Sequence, residues 1–399
     1  MSLQVKFLLW GGLFLLYRLG YSQKSISPDS AIQIALINHP QIKVSNLQVE
    51  QQQLLKGSTL QFYNTELLFE APQGDELRPG ILQAIDFPTV YMQQYKTQQA
   101  NVNLMKADRA VNTNLIKYNV RNTYISYQYW RERFQILKNQ DSILRGLLKI
   151  NEVRYNVGQI SILEKISGEA KYKGIELQLL QASAEFRNSR KQFLLAIGTP
   201  EDTSIVPDRT IEKFPPLILN TSSTENITNN PVYHYYQRQQ DLSKRLLKLE
   251  RARRMPGLIV GYLNQGDEHT SFKYRLRFGV TLPIFYWGYH SRIKAANKGI
   301  EIAENQLILG KYKLNGEYVQ AVSRYRQFTQ ELNYYESAGL LEAAQTLKSA
   351  SESYRLGSIT YYVYLLNIEQ AFSIELNHLE ALKNYNQSIT HLNYLLGDI

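Results

Sequence analysis

No cysteine occurs among the 399 residues, which excludes disulfides, thiolate metal sites and a cysteine nucleophile. Beyond the N-terminus no uninterrupted run of 18 apolar residues appears, so the chain is not a polytopic helical membrane protein. Histidine is scarce, and His39, His234, His269, His290, His378 and His391 show no metal-ligand spacing. Met92, Met105 and Met255 are isolated, so there is no methionine ladder for soft metals. HExxH, GxSxG and phosphate-binding glycine loops are all missing. With no catalytic constellation and no ligand set, neither an enzyme nor a bound cofactor or metal is expected. Proline is missing from 89–199 and from 284–399, which leaves two long stretches free to be helical.

What is present is aromatic and mildly basic. Aromatics make up 12% of the chain, with 29 tyrosines, which argues against a disordered polypeptide. The formal net charge of +10 points to anionic surroundings. The basic run Lys244, Arg245, Lys248, Arg251, Arg253 and Arg254 reads as a solvated helix face near a membrane, not as a nucleic-acid interface. At the N-terminus, Lys6 precedes the apolar stretch Phe7 to Tyr17, and Gly20-Tyr21-Ser22 places small residues before a cut at Gln23. This is the pattern of a secretory signal over 1–22.

Each proline-free stretch follows a short proline-bounded region, the arrangement of an internal two-fold repeat. Asn38-His39-Pro40 matches Asn229-Asn230-Pro231, and Gln73-Gly74-Asp75-Glu76 matches Gln265-Gly266-Asp267-Glu268. Phe87-Pro88 matches Leu282-Pro283, Tyr155-x-x-Gly158 matches Tyr354-x-x-Gly357, and Leu195-Ala196-Ile197-Gly198 matches Leu395-Leu396-Gly397. The five matches keep their order. The copies are expected over 23–198 and 230–399, joined by a polar linker over 199–229.

Within each copy the expected order is helix, strand pair, long helix, break, helix. Helices are expected over 90–154 and 290–353. In the first, Val120, Tyr124, Tyr127, Phe134, Leu137, Leu144 and Leu148 form a narrow apolar stripe, closer to a coiled-coil seam than to a globular core face. About 64 residues of helix would extend roughly 96 Å. Phe272 to Leu282 alternates apolar residues with Lys273, Arg275, Arg277, Gly279 and Thr281, the period of a strand with one greasy face. Its partner is expected over 258–263. Strands at 65–70 and 81–87 flank the first Gln-Gly-Asp-Glu segment, and both such segments read as exposed hairpin tips. Phe285, Tyr286, Trp287 and Tyr289 fit an aromatic girdle at a membrane interface. Four strands cannot close a spanning barrel, which needs about eight, so several chains would share one.

These features, with Leu282-Pro283-Ile284-Phe285-x-x-Gly288 after the last strand, resemble the TolC-like outer-membrane efflux family across nearly all of 23–399. Ile85-Asp86-Phe87-Pro88-Thr89-Val90-Tyr91 looks most like its heavy-metal (Cus/Czc-like) branch. The resemblance implies an α+β membrane protein. It would be a homotrimer in the bacterial outer membrane, with four strands per protomer in a transmembrane β-barrel that continues as a long periplasmic α-helical barrel. It implies a passive exit duct for metal ions or small toxic compounds. These would be delivered by a periplasmic adaptor (membrane fusion protein) and an inner-membrane pump of the RND type. Lys273, Arg275 and Arg277 would face the barrel lumen. Asp75, Glu76, Asp267 and Glu268 would lie in extracellular loops, and Tyr155, Gly158, Tyr354 and Gly357 would form the tips that meet the adaptor. Relatives often carry an acid six positions after each tip glycine; here the first copy has Glu164, a pore-entrance residue by resemblance, and the second has Val363. Many relatives carry a lipid anchor at the mature N-terminus, for which this chain lacks the cysteine. The competing reading from the residues is a periplasmic coiled-coil scaffold or adaptor with a β-hairpin domain and no pore.

Overall fold

The computed structural model describes residues 24–71, 76–202, 204–208, 210–217, 227–265 and 271–398. The expected leader lies outside them, as do Asp75, Asp267 and Glu268 of the expected hairpin tips. The described residues divide between two compact units. One falls within Met1–His39, Ile116–Leu217 and Val322–His391, the other within Pro40–Leu115, Ile218–Ala321 and Leu392–Ile399.

In chain order the elements are β1 (Lys24–Ile26), α1 (Pro28–Asn38), α2 (Pro40–Leu54), β2 (Glu66–Glu70), β3 (Arg78–Ile85), α3 (Pro88–Asn156) and α4 (Ile162–Ala196). Then come β4 (Ile205–Pro207), α5 (Pro231–Ala252), β5 (Gly257–Leu263), β6 (Leu276–Thr281), α6 (Tyr286–Tyr334), α7 (Leu340–Arg355) and α8 (Tyr361–Leu396). Helices start where proline can sit without losing a hydrogen bond: α1, α2, α3 and α5 each have proline as their first residue. Ser27 Oγ and Asn230 Oδ1 accept from backbone amides of the first turns of α1 and α5.

The expected long helices are present, with extended bounds. α3 spans 69 residues, and the second stretch runs through α6 and α7 with a π-helical turn at Tyr335–Gly339 between them. Most of the apolar stripe is internal: Val120, Tyr124, Tyr127, Leu137 and Leu144 are buried. On α4, Gly168, Ile175, Ala182 and Ser189 are buried at steps of seven, the repeat of a seam helix.

Within the segment expected as a plain linker, the described residues between Ile205 and Phe214 are tied down in the first unit. β4 pairs in parallel with β1. Tyr124 Oη donates to the Ile26 carbonyl (3.0 Å) and accepts from the Asp208 amide (3.0 Å). Gln128 Nε2 donates to the carbonyls of Asp208 and Thr210. The buried Asn386 side chain accepts from the Phe214 amide and donates to the Glu212 carbonyl, and Lys213 Nζ lies 2.6 Å from Glu336 in the π turn. Polar, proline-bearing composition marked this segment as irregular, which it is. Its order comes from side chains on distant helices.

Among the described residues four glycines have positive φ: Gly158, Gly198, Gly357 and Gly397. Each closes a helix with the paired bonds of a Schellman motif. At Gly198, Thr199 N–H reaches the Leu194 carbonyl and Gly198 N–H the Leu195 carbonyl. Gly198 also lies against Asn38 and His39, where an added Cβ would sit 2.8 Å from backbone atoms. Exposed Gly146 in α3 has open space around it. Gly198→Ala is therefore expected to lower the thermal unfolding midpoint, costing more than about 1–2 kcal/mol. Gly146→Ala is expected to raise it, by about 1 kcal/mol in helix propensity. Circular dichroism melts of the two variants check the opposite signs.

Candidate functional site

The strand order in the second unit is β2-β3-β5-β6, antiparallel throughout. Side chains alternate along a strand, and directly paired residues point to the same face. The registers Leu67↔Ile81, Ile81↔Tyr262 and Tyr262↔Leu276 therefore place twelve residues on one face. They are Leu67, Phe69, Pro79, Ile81, Gln83, Ile85, Leu258, Val260, Tyr262, Leu276, Phe278 and Val280, and Gln83 is the one amide among them. Every charged residue of these strands, namely Glu66, Glu70, Arg78 and Arg277, lies on the opposite face. The apolar face is uncovered in the chain: Leu67 is 69% exposed, Phe69 67% and Phe278 80%. The opposite face also carries Gly80, Gly257, Gly261 and Gly279. Among the described residues, β2 and β6 each pair along one edge only.

The last strand is shorter than expected. Residues Phe272–Arg275 form a 3-10 turn, and β6 begins at Leu276. Interactions with the end of β5 account for this. Phe272 stacks on Tyr262 (5.4 Å, 26°), and the Arg275 guanidinium donates to Asn264 Oδ1 and to Tyr262 Oη. Alternation of residue types continues through the turn, but strand geometry does not. Arg277 stands on the charged face within β6 and donates to Gln265 Oε1 (2.7 Å), whereas Lys273 and Arg275 precede the strand. Glu76 is exposed beside β3. After β6, Phe285, Tyr286 and Trp287 are all exposed, with Phe285 edge-on to Trp287 at 5.1 Å.

The other candidate region is the helix-break end of the first unit. Gly158 and Gly357 end α3 and α7 with φ of 72° and 74°, so glycine is the residue these reversals require. The two motif tyrosines differ. Tyr155 is half-buried under Lys165 Nζ, 4.8 Å from its ring centroid. Tyr354 is buried. It accepts a hydrogen bond from Arg154 Nη1 (2.7 Å) and stacks on Tyr364 at 4.6 Å and 7°. Tyr361 fills the space beside Gly168, where an added Cβ would come within 2.8 Å of the Tyr361 hydroxyl.

Glu164 begins α4 in a reciprocal capping box: its amide donates to Ser161 Oγ (3.2 Å), and its carboxylate accepts from the Ser161 amide (3.1 Å). At the matching position Thr360 Oγ1 accepts from the Val363 amide, so that start is capped from one side only. The sequence reading missed this local role, although Ser161-x-x-Glu164 is the capping signature. It also missed Arg154, Gly168, Tyr361 and Tyr364. Tyr354, Tyr361 and Tyr364 lie seven and three residues apart, which was the available signal. Among the described residues no cluster of His, Asp and Glu could hold a metal ion, and no helix is long and apolar enough to cross a membrane.

No family model matches the chain, and no curated protein matches it in sequence. Solved structures do match. The Campylobacter jejuni CmeC outer membrane channel superposes with a TM-score of 0.77 at 16% identity, over 94% of this chain and 89% of that one. The channel protein CusC gives 0.76 at 13% identity, over 93% and 92%. The outer membrane protein VceC from Vibrio cholerae gives 0.73 at 14% identity, over 93% and 96%. The chain has the fold of TolC-like outer-membrane channels.

Burial raises the Tyr361 hydroxyl pKa from 10.0 to about 12, with the neighbouring Tyr354 adding to the rise. The folded state therefore holds this proton more tightly than the unfolded chain. The associated stability is complete below pH 10 and is lost as pH climbs from 10 toward 12. Tyr361→Phe is expected to flatten the fall of the unfolding midpoint across that window. An unchanged pH profile contradicts the assignment.

Proposed function

We propose that the protein is the outer-membrane channel of a tripartite efflux system, a passive duct through which an inner-membrane pump and a periplasmic adaptor discharge metal ions or small toxic compounds. The observation that carries this reading is the sheet with one wholly uncharged, exposed face and two one-sided edges. In water such a surface is an aggregation hazard. In lipid the face is favourable, but each unpaired edge group costs several kcal/mol, so the edges must pair with other copies. Three copies bring twelve strands, enough for a barrel. The fold of the CmeC, CusC and VceC channels supports the same conclusion and disfavours a scaffold without a pore.

On this reading the chain is a homotrimer in the outer membrane with a large periplasmic helical portion. The two halves, 23–198 and 230–399, are diverged copies. The matching Schellman glycines, Gly158 with Gly357 and Gly198 with Gly397, support this. The charged sheet face lines the lumen, and Arg277 is its best-placed cation. The exposed ring cluster at 285–287 sits at the bilayer interface. The hairpin tips with Asp75, Glu76, Asp267 and Glu268 face the exterior. The reversals at Gly158 and Gly357 meet the adaptor, and an RND pump of the heavy-metal type is the partner that the Ile85-to-Tyr91 segment favours.

Two experiments test the assignment. An arginine on the lipid face near the midplane costs roughly 2–4 kcal/mol. Phe278→Arg is expected to abolish trimer assembly in outer-membrane fractions, while Arg277→Leu assembles and changes the ion selectivity of single channels. Equal assembly of both contradicts the register. For the entrance, Glu164→Gln keeps a capping side chain and removes the charge, so it is expected to lower cation selectivity without loss of stability. Glu164→Ala loses both, at about 1 kcal/mol for the cap. Val363→Glu is expected to complete a second capping box with Thr360 and to raise cation selectivity. Unaltered selectivity in all three removes these positions from the entrance.

A further inference from the structure

Two neighbouring surface grooves of the second unit meet at Tyr95. The first is shallow and apolar. Leu60, Phe62, Ile85, Pro88 and Met92 line it, and Leu60, Phe62 and Met92 are exposed. Its one carboxylate, Asp86, accepts from the Tyr63 hydroxyl at 3.3 Å. The second groove runs between α3 and α5 and is basic. Lys96, Arg238, Lys244, Arg245 and Lys248 line it against one acid, Asp241, which lies 3.4 Å from Arg238. Among the described residues, the side chains of Lys96, Lys244, Arg245 and Lys248 have no hydrogen-bond or ion-pair partner. Lys56 stands at the junction, its Nζ 5.0 Å from the Tyr95 ring centroid and 2.7 Å from Gln99 Oε1.

Both grooves open on the side of the uncharged sheet face. Ile85 belongs to that face by register and also lines the apolar groove. On α3, Met92, Tyr95, Gln99 and Asn103 follow at steps of three and four, so one helix stripe leads from the apolar groove into the basic one. On α5, Lys244, Lys248 and Arg251 are spaced in the same way and all are exposed. At 1.5 Å per helical residue, Tyr95 stands about 10 Å beyond Pro88, and Lys248 about 13 Å before Gly257. The surface is therefore apolar next to the sheet and cationic one to two turns farther on. A solvated helix face accounts for the lysines but not for the apolar groove joined to them. A nucleic acid has no use for that groove either.

We infer that the two grooves together hold one anionic phospholipid from the leaflet nearest the helices. Its acyl chain lies against Leu60, Phe62 and Met92, and its phosphate among Lys56, Lys96 and Lys248. The position of the bilayer in this inference rests on the channel reading. Lysine stems let the charges reach up to the headgroup layer. Cations there attract anionic lipid, and an amphipathic ring such as Tyr95 suits the level between chain and headgroup. The basic run on α5, which the duct itself does not use, thereby gains a ligand.

The test is native mass spectrometry on the detergent-purified full-length protein. The probes are dioleoylphosphatidylglycerol, dioleoylphosphatidylcholine and glycerol phosphate, the last being the headgroup without chains. The phosphatidylglycerol is expected to saturate at one per chain, and the phosphatidylcholine to bind at least about tenfold more weakly, the scale of two lysines near an anionic lipid. Glycerol phosphate is expected not to saturate in the same range. Lys96→Gln with Lys248→Gln is expected to erase the preference between the two lipids. Lys311→Gln with Lys313→Gln, an equal loss of charge at exposed positions of α6, is expected to leave it intact. Leu60→Asn with Met92→Asn is expected to weaken both lipids. Equal affinity for the two lipids, glycerol phosphate binding as tightly as phosphatidylglycerol, or an equal effect of the two lysine pairs overturns the inference. The same spectra report the oligomer. Trimers without a lipid preference overturn this site alone, whereas monomers that keep the preference support the site and count against the channel.

Discussion

An unpaired strand edge cannot stay in hydrocarbon, and most of this protein's design can be derived from that constraint. The four strands present an apolar face that only lipid or another apolar surface can cover. Among the described residues, their registers leave β2 and β6 each with one open side. Neither the face nor the edges can be satisfied by one chain. Charges are segregated without exception: Glu66, Glu70, Arg78 and Arg277 share the other face, so a one-residue slip of β2, β3 or β6 would carry charge onto the apolar face. On the channel reading proposed above, register, apolarity and pairing with further copies become a single requirement.

The helical regions obey a different rule. α3, α4, α7 and α8 each end on a glycine of positive φ, whereas α6 passes through a π-helical turn into α7. The seam of α4 repeats every seven residues, while α3 is buried around most of its circumference between Tyr124 and Tyr129. Specificity then falls to particular contacts. The Tyr354–Tyr364 stack, the Arg154–Tyr354 hydrogen bond and the close approach of Tyr361 to Gly168 fix the break end. Asn386, Gln128 and Tyr124 fix Asp208, Thr210, Glu212 and Phe214 through backbone bonds.

Much of this was legible in the sequence for identifiable reasons. Proline-free stretches marked the long helices because proline is costly inside a helix, and the observed helices overran the expected bounds by only a few residues. Gly158 and Gly357 were readable as breaks because positive φ selects glycine. The sheet faces were readable because β residues alternate. The same alternation led the last strand to be drawn too long, since Phe272 and Arg275 satisfy the pattern while their side chains pull the backbone into a 3-10 turn against Tyr262 and Asn264. The order of 204–208 and 210–217 was hidden because their partners lie far away in sequence. Glu164 was assigned from resemblance to relatives while its nearer role, the capping box with Ser161, went unread.

The central claim is that the edges of β2 and β6 are completed by other copies of the chain. Because the protein has no native cysteine, engineered pairs report cleanly. Cysteines introduced in combination at Glu66, Leu68 or Glu70 and at Arg277, Gly279 or Thr281 would be oxidised in isolated outer membranes and resolved without reducing agent. The account requires at least one combination to give covalently closed trimers while each single-cysteine variant remains uncross-linked along these edges. Monomers throughout, with the protein recovered in the soluble fraction, would contradict it.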